Sequence, residues 1–232
     1  MRKIPLLIIC SLIFHAGYAS AVNSRNLAKA MDEAPEKALN TAEFSREVNE
    51  KMGGIKTFNF TFRQNTYIAD STQTVVAEVS FERPDKLYVK YSEPQTQEFI
   101  FNKGTLYTYI PEIKQATSQK KDDISNVLGV TPSVILSGDS FHLLEKDFNL
   151  SVNTSGKHKN MVLLEAFPVN RDDFDKMVIF FNGDTLLPEK TVVTAPNFKS
   201  VTSFTEYKLN LQFGEDYFDF NPDKEVNIIE IN

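Results

Sequence analysis

The sequence predicts a mainly β protein with helices, an α+β fold built as one large, curved antiparallel sheet or open barrel. Apolar residues recur at every second position in short segments, which indicates about ten or eleven strands. Tight-turn residues join several of these segments, as at residues 102–104 (Asn-Lys-Gly) and 182–184 (Asn-Gly-Asp), and such turns favour antiparallel neighbours. Helical spacing occurs in only a few places, so we expect the helices to lie against the concave face of the sheet.

The first helix and the first strands are separated by a change in periodicity. Phe44, Val48 and Met52 recur at helical spacing, so a helix is predicted from about residue 38 to Met52, and the glycine pair that starts at Gly53 ends it. A period of two then takes over. The strands predicted in this half of the chain are residues 58–62, 75–82, 87–91, 99–101 and 105–110.

The regular alternation stops between residues 120 and 141. Residues 122–128 are predicted to form a short helix, and Thr131 can cap a second one, with Pro132 at its first position and Gly138 at its end. Alternation then returns in five segments, followed by an extended stretch at 213–220 and a short tail at 226–231. The five segments are residues 148–153, 160–167, 175–181, 186–194 and 199–210. Residues 177–181 are apolar on both faces, so that strand needs cover on both sides, which the inserted helices could supply.

The N-terminal residues have the pattern of a secretory signal. A basic pair, Arg2 and Lys3, precedes an apolar stretch at residues 4–14 and a small-residue motif at 19–21. We therefore expect three parts: a cleaved signal peptide at 1–21, a flexible arm at 22–37 and a single domain at 38–232. The alternative is an uncleaved membrane anchor. Cys10 lies inside the apolar stretch, so it does not indicate a lipoprotein signal, and its removal leaves no cysteine for a disulfide.

Charge and motif content argue against several function classes. Removing Arg2 and Lys3 leaves 23 basic residues against 31 acidic ones, a net charge of −8, which disfavours nucleic acid as a partner. The remaining histidines, His142 and His158, are not at ligand spacing from each other or from a cysteine, so no metal site is expected. The chain has no nucleophile-elbow motif and no phosphate-binding glycine loop. We therefore predict that it is not an enzyme, has no catalytic residue and needs no cofactor.

One charged residue, Arg83, has an unusual position in the pattern. Within residues 75–83 it shares the parity of Ala77, Val79 and Phe81, so its side chain is predicted on the apolar face. A guanidinium there must be fully hydrogen-bonded, and unpaired carbonyls at a helix C-terminus would suit it, with the inserted helices as expected partners. The alternative is an arginine at the sheet edge that pairs with Glu82 or Asp85.

Several short motifs resemble the LolA-type outer-membrane lipoprotein carrier. Phe62-x-Gln64 is followed by residues 81–84 (Phe-Glu-Arg-Pro), 91–94 (Tyr-Ser-Glu-Pro) and 102–111, which contain Leu-Tyr-Thr-Tyr-Ile-Pro. Residues 112–117 are similar to the next strand of that family, and Thr131-Pro132 to the start of a family helix. The resemblance runs from about Leu39 to the C-terminus. Valine and tyrosine stand at 89 and 107, where the family often has tryptophan, and residues 200–215 match less well.

This resemblance implies a fold and a function. The fold would be an unclosed antiparallel β-barrel of about 10–11 strands, with a helical lid over an apolar cavity. The function would be that of a monomeric periplasmic carrier that binds the acyl chains of lipoproteins released from the inner membrane and delivers them to the outer membrane. Its partners would be acylated lipoproteins, an ATP-driven lipoprotein exporter in the inner membrane and an acceptor in the outer membrane.

The resemblance also implies roles for individual residues. Arg83 matches the family arginine that holds the lid through backbone contacts. The expected lid residues are Ile124, Val127, Leu128, Val134, Ile135 and Leu136. The expected lining of the acyl-binding cavity is Phe60, Phe62, Val79, Phe81, Leu87, Val89, Tyr91, Phe99, Phe101, Tyr107, Tyr109, Ile179 and Phe181.

Three other functions are alternatives to the carrier. A periplasmic lipid or lipoprotein sensor of the same fold would regulate a membrane partner, but such relatives usually carry a second domain. A hydrolase that uses His142 would need a nucleophile motif. The outer-membrane acceptor itself would need a lipidated N-terminal cysteine after Ala21, where the sequence has Val22.

Overall fold

The computed structural model describes residues 35–121, 140–156, 160–169 and 175–231. Over these ranges the chain forms two α-helices, α1 (Thr41–Gly53) and α2 (Ser140–Glu145), and a short 3-10 helix (Pro111–Ile113). The strands within the same ranges are β1 (Pro35–Ala38), β2 (Thr57–Ile68), β3 (Ser71–Glu82), β4 (Lys86–Glu93), β5 (Gln97–Asn102), β6 (Thr105–Ile110), β7 (Gln115–Lys120), β8 (Phe148–Ser155), β9 (Met161–Pro168), β10 (Lys176–Asn182), β11 (Pro188–Ala195), β12 (Phe198–Leu209) and β13 (Asn227–Ile231).

These strands form one large sheet whose two ends do not pair with each other. Their order is β1-β8-β9-β10-β11-β12-β2-β3-β4-β5-β6-β7-β13. Neighbours are antiparallel except for β7 and β13, which are parallel. The predicted fold class, an unclosed and mainly antiparallel β architecture with helices, is confirmed. The ten segments predicted from alternation correspond to β2–β6 and β8–β12, and residues 112–117, predicted as the next strand from the resemblance, overlap β7. The two additional strands, β1 and β13, lie at the sheet edges.

The edge strands lacked the alternation that revealed the others. All five residues of β13 are exposed, so neither of its faces needs a continuous apolar pattern. β1 is formed by the last residues of the predicted flexible arm and pairs with β8. The backbone of β8 would otherwise present an unpaired edge, and this pairing can order a short segment of weak pattern.

Helix α1 begins three residues later than predicted because Asn40 caps it. The Asn40 side-chain oxygen accepts a hydrogen bond from the Glu43 backbone N–H, with 3.2 Å between the heavy atoms. Just before the cap, the Leu39 N–H donates to the carbonyl oxygen of Val152 in β8 at 2.9 Å, which continues the strand pairing. At the other end, the Gly54 N–H bonds to the Glu50 carbonyl oxygen at 3.2 Å and completes the last turn.

The sheet buries apolar side chains on both faces, to different extents. The main cluster lies on the face that also packs against α1 and α2, which we call the concave face. A smaller cluster on the opposite face contains Leu163, Phe180 and Val192. Residues 177–181 are apolar on both faces because Met177, Ile179 and Phe181 join the concave cluster, whereas Phe180 belongs to the outer one. The Lys190 Nζ lies 3.9 Å from the centroid of the Phe180 ring, so the lysine ammonium covers this ring of the outer cluster.

The segment that follows β12 crosses the outer face of the sheet in turns. The prediction of an extended stretch at 213–220 is wrong, because residues 215–218 form a turn. Phe218 is buried, and the Phe220 ring stacks on Tyr107 of β6 with 4.7 Å between centroids. A cover made of turns lets successive aromatic rings reach the sheet, which strict alternation would not allow.

Some predictions fall on residues outside the described ranges. These are the signal peptide at 1–21, the arm as far as residue 34 and the two inserted helices at 122–128 and 131–138. Within the described ranges, no helix has both the length and the apolar character needed to span a bilayer.

Candidate functional site

Helix α1 packs on the concave face through one apolar stripe. Phe44, Val48 and Met52 are buried and recur every four residues, so they share one side of the helix. The centroid of the Phe44 ring lies 5.4 Å from that of Phe181 in β10 and 5.9 Å from that of Phe141 in α2. Both contacts are edge-on, an arrangement that aromatic quadrupoles favour. The stripe joins the two helices and the sheet in a single apolar cluster.

Arg83 ties the end of β3 to the C-terminal end of α1. Its Nε donates to the Ile55 carbonyl oxygen at 2.8 Å, and its Nη2 donates to the Met52 carbonyl oxygen at 3.0 Å. The Arg83 backbone N–H donates to the Lys56 carbonyl oxygen at 2.9 Å. Carbonyls at and beyond a helix end lack intrahelical donors and carry partial negative charge, so a guanidinium is a favourable partner. The sequence predicted helix-end carbonyls for Arg83, and these belong to α1, whereas the prediction had named the inserted helices.

The surroundings of Arg83 are apolar on the sheet side. Its Cζ lies 5.5 Å from the Phe58 ring centroid and 5.8 Å from that of Phe81. Burial lowers the pKa of Arg83 from its ordinary value, but a guanidinium stays charged at neutral pH. Glu82 pairs with Lys86 at 2.6 Å, and no carboxylate in the described ranges pairs with Arg83, so the alternative edge pairing is not observed there.

Eleven of the thirteen residues predicted to line a cavity lie on the concave face. They come from β2, β3, β4, β5 and β10, and cross-strand pairing places them side by side, as in Phe60 opposite Val79 and Val79 opposite Val89. All eleven belong to the concave cluster or pack against it: Phe60, Phe62, Val79, Phe81, Leu87, Val89, Tyr91, Phe99, Phe101, Ile179 and Phe181. Their role in binding stays a prediction.

The other two, Tyr107 and Tyr109, were assigned to the wrong face. In the β5–β6 hairpin, Phe101 pairs with Leu106 and Phe99 with Thr108, so the even-numbered residues of β6 share the concave face. Tyr107 and Tyr109 point to the outer side. Their ring centroids lie 4.7 Å and 5.7 Å from that of Phe220 in the C-terminal segment.

Two tyrosines on the concave side lie in poorly solvated surroundings. Tyr91 packs against the rings of Phe62 and Phe99, and burial raises its pKa to about 12. Tyr207 donates its hydroxyl hydrogen to the Pro188 carbonyl oxygen at 2.7 Å, and burial, with the charge of Glu189 second, raises its pKa above its ordinary value. A low-dielectric surface that disfavours charge suits alkyl chains.

The predicted site omitted several side chains that complete the concave cluster. Phe141 and Leu144 of α2 and Phe204 of β12 are buried in it, together with the stripe of α1. The alternation of 199–210 and the helical spacing in α1 were visible in the sequence, so most of these residues could have been included. α2 has only six residues, too few to show a helical period.

The predicted lid residues and the two histidines lie wholly or partly outside the described part of the chain. The six lid residues between Ile124 and Leu136 lie outside the described ranges, as does His158. His142 falls within α2, but its side chain is not among those described. Among the described residues, no three His, Cys, Asp or Glu side chains cluster in a way that could hold a metal ion.

Comparison with known proteins identifies the family. The family model described as "Outer membrane lipoprotein carrier protein LolA" matches residues 53–221, most of the chain. The chain belongs to the LolA family. This match includes β2–β12, Arg83 and the concave residues of the sheet. Because the family consists of carrier proteins, membership confirms that the chain is not an enzyme. The carriers act in the periplasm, which supports the predicted compartment, whereas the cleaved signal peptide stays a prediction.

Individual relatives agree with this assignment at modest identity. The chain is similar to an outer-membrane lipoprotein carrier protein of Nitrosomonas europaea, with 29% identity over 181 residues, 75% of this chain and 82% of the relative. A carrier protein of Cupriavidus pinatubonensis is 33% identical over 131 residues, 55% of this chain and 58% of the relative. Among solved structures, an uncharacterized conserved protein from Thermus thermophilus has the same fold, with a TM-score of 0.54 and 10% identity over 83% of this chain and all of that one.

Proposed function

We propose that this LolA-family chain carries acylated lipoproteins through the periplasm. It would accept them from an ATP-driven exporter in the inner membrane and deliver them to an acceptor in the outer membrane. The observation that carries the proposal is the continuous apolar concave face, covered by a helix whose end is held by Arg83. Residues 38–232 would act as one carrier domain, secreted by a cleaved signal peptide and working as a monomer.

The chemistry of this face suits acyl chains. Each buried methylene contributes roughly 0.8 kcal/mol, so one long acyl chain represents on the order of ten kcal/mol of apolar transfer. A carrier must shield that surface from water and must also release it without an energy source in the periplasm. Phenylalanine, valine, leucine and isoleucine side chains bind alkyl chains without directional bonds, so the interaction is strong in sum and readily reversed.

The helical cover must move before the cargo can reach the sheet. Phe60, Val79 and Leu87 have no exposed surface, so a bound acyl chain can touch them only after α1 or its neighbours shift. The two hydrogen bonds from Arg83 to the end of α1 would hold the closed state and break on opening. Opening also exposes the apolar stripe of α1 and the sheet beneath it. A bound acyl chain would cover this surface again, so cargo binding can shift the balance between the two states. Arg83 is therefore proposed as the latch, and the residues at 124–136 as further parts of the lid.

A release assay tests the carrier proposal. Purified mature protein is added to spheroplasts, and acylated lipoproteins are sought in the soluble fraction. We expect release that depends on the added protein, with the lipoprotein recovered in complex with it. No release, together with free lipid bound to the protein in its mass spectrum, would contradict the proposal and favour a lipid sensor.

A crosslinking experiment locates the cargo. A photoreactive phenylalanine analogue is placed at Phe99, on the concave face of β5, and in a matched variant at Tyr107, on the outer face of β6. The adjacent strands β5 and β6 carry these positions on opposite faces of the sheet. Crosslinks to the acyl chains are expected at Phe99 and not at Tyr107, and equal crosslinking at both positions would contradict the concave site.

A further inference from the structure

Two polar side-chain atoms of α1 are buried without hydrogen-bond partners among the described residues. They are the Ser45 Oγ and the Asn49 Oδ1. Ser45 has only 7% of its surface exposed. The two residues are four positions apart, so their side chains lie on the same side of the helix, one turn from each other.

Such groups are uncommon in folded proteins. Nearly all buried polar atoms have a partner, because an unpaired donor or acceptor loses its hydrogen bonds to water and gains nothing in return. Asn40, the polar residue that caps α1, does have a partner for its side-chain oxygen. The two atoms, one helical turn apart, therefore have free hydrogen-bonding capacity for a bound molecule.

Their position relative to the apolar stripe indicates where that ligand lies. Ser45 and Asn49 each follow a stripe residue, Phe44 and Val48, by one position, which is a rotation of about 100° around the helix axis. They therefore flank the stripe that packs on the concave face, at the border of the buried space. Acyl chains that enter this space would bring their polar attachment groups to the same border.

We propose that Ser45 and Asn49 bind the ester and amide groups that attach acyl chains to a lipoprotein's terminal cysteine. The Ser45 hydroxyl donates to an ester carbonyl oxygen, and the Asn49 Oδ1 accepts from the N–H of the acyl amide. This inference rests on the proposed carrier function. It assigns hydrogen-bond recognition to the ester and amide groups of the cargo. The apolar face would bind the chains without directional bonds, and the pair would fix the depth at which the chains sit.

Synthetic lipopeptides test the two contacts separately. The first probe carries ester-linked acyl chains on its cysteine, and the matched probe carries ether-linked alkyl chains, which lack carbonyl oxygens. The wild-type protein is expected to bind the ester probe about fivefold more tightly than the ether probe. In Ser45→Ala this preference is expected to disappear. For Asn49→Leu, the corresponding comparison uses an N-acyl amide and its N-methylated analogue, which lacks the N–H.

The thermal stability of the unliganded protein separates this role from a structural one. Removing an unpaired buried hydroxyl, and replacing serine by a better helix former, should leave the Tm of Ser45→Ala unchanged or raised. A lower Tm would show that the hydroxyl already has a partner without cargo, and would overturn the inference. Equal binding of the ester and ether probes to the wild-type protein would overturn it as well, while leaving the carrier function intact. A wild-type protein that binds neither probe would refute the carrier function itself.

Discussion

Replacing Arg83 by leucine should loosen α1 without unfolding the sheet. The substitution removes the hydrogen bonds from Nε to Ile55 and from Nη2 to Met52, and leaves the Ile55 oxygen without its donor from Arg83. The Met52 oxygen still accepts from the Ile55 N–H at 3.2 Å. Leucine can pack on the Phe58 and Phe81 rings that the guanidinium now covers, so the apolar contact is largely kept.

The size of the effect follows from these two bonds. A hydrogen bond to a charged group contributes roughly 1.5–3 kcal/mol. Because Arg83 is only partly buried, we take the lower end of the range for each bond, about 3 kcal/mol together. In a chain of this size, such a loss lowers the Tm by about 6–12 °C if α1 unfolds together with the sheet. If α1 opens by itself, the loss appears instead as faster amide exchange in α1 alone.

The loss of the Arg83 hydrogen bonds should also change the affinity for cargo. If the closed state is destabilised by about 3 kcal/mol and the loaded state is not, the apparent affinity for an acylated peptide rises by up to about 150-fold. We therefore expect Arg83→Leu to bind cargo and to release it poorly. The assays are amide exchange, peptide binding, and transfer of lipoprotein to outer-membrane vesicles.

The matched control is Arg46→Leu. Arg46 lies on the exposed side of α1, 4.0 Å from Glu50, and a surface pair of this kind contributes little. If Arg83→Leu shows wild-type exchange in α1 and wild-type transfer, the latch reasoning is refuted. If Arg46→Leu reproduces the effects of Arg83→Leu, those effects arise from lost surface charge and not from the contact of Arg83 with the end of α1.

Two further predictions concern the outer cover and the concave face. Phe218 is 2% exposed, so Phe218→Ala should lower the free energy of unfolding by about 3–5 kcal/mol in urea melts, and a change below 1 kcal/mol would contradict its burial. Burial raises the pKa of Tyr91 to about 12, so the folded protein binds this proton more tightly than the unfolded chain does. Its stability contribution is present below pH 10 and is lost between about pH 10 and 12. Tyr91→Phe should therefore lose less stability over that interval than the wild type, and equal losses in alkaline melts would contradict the shift.

The sequence and the structure differ most instructively at β6. The resemblance to the carrier family implied that Tyr107 and Tyr109 line the cavity, whereas both side chains lie on the outer face. The two-residue turn at Lys103 and Gly104 pairs Asn102 with Thr105. Leu106 therefore lies opposite Phe101, and the even-numbered residues of β6 share the concave face with the odd-numbered residues of β5. The register could have been derived from the turn length. The presence of Phe220 on the outer face could not, because it comes from a segment more than one hundred residues away.

The sequence did not predict the edge strand β13 or the turns at 215–218. β13 has no buried residue, so nothing in its composition distinguishes it from an irregular tail. The segment at 213–220 has the aromatic content of a strand but forms turns over the sheet. In both places the local pattern was compatible with more than one conformation, and the neighbouring strands decided between them.

The sequence by itself determined the alternating strands, the helix that begins near Asn40 and the parity that turns Arg83 toward the apolar side. Each of these follows from the covalent geometry of the chain, because the side-chain periods of strands and helices are fixed locally. The tertiary structure alone decided that the carbonyls bound by Arg83 lie at and just beyond the end of α1. It also decided that the Ser45 Oγ and the Asn49 Oδ1 are buried without partners among the described residues. Those facts depend on which distant segments meet in space, and local periodicity carries no information about that meeting.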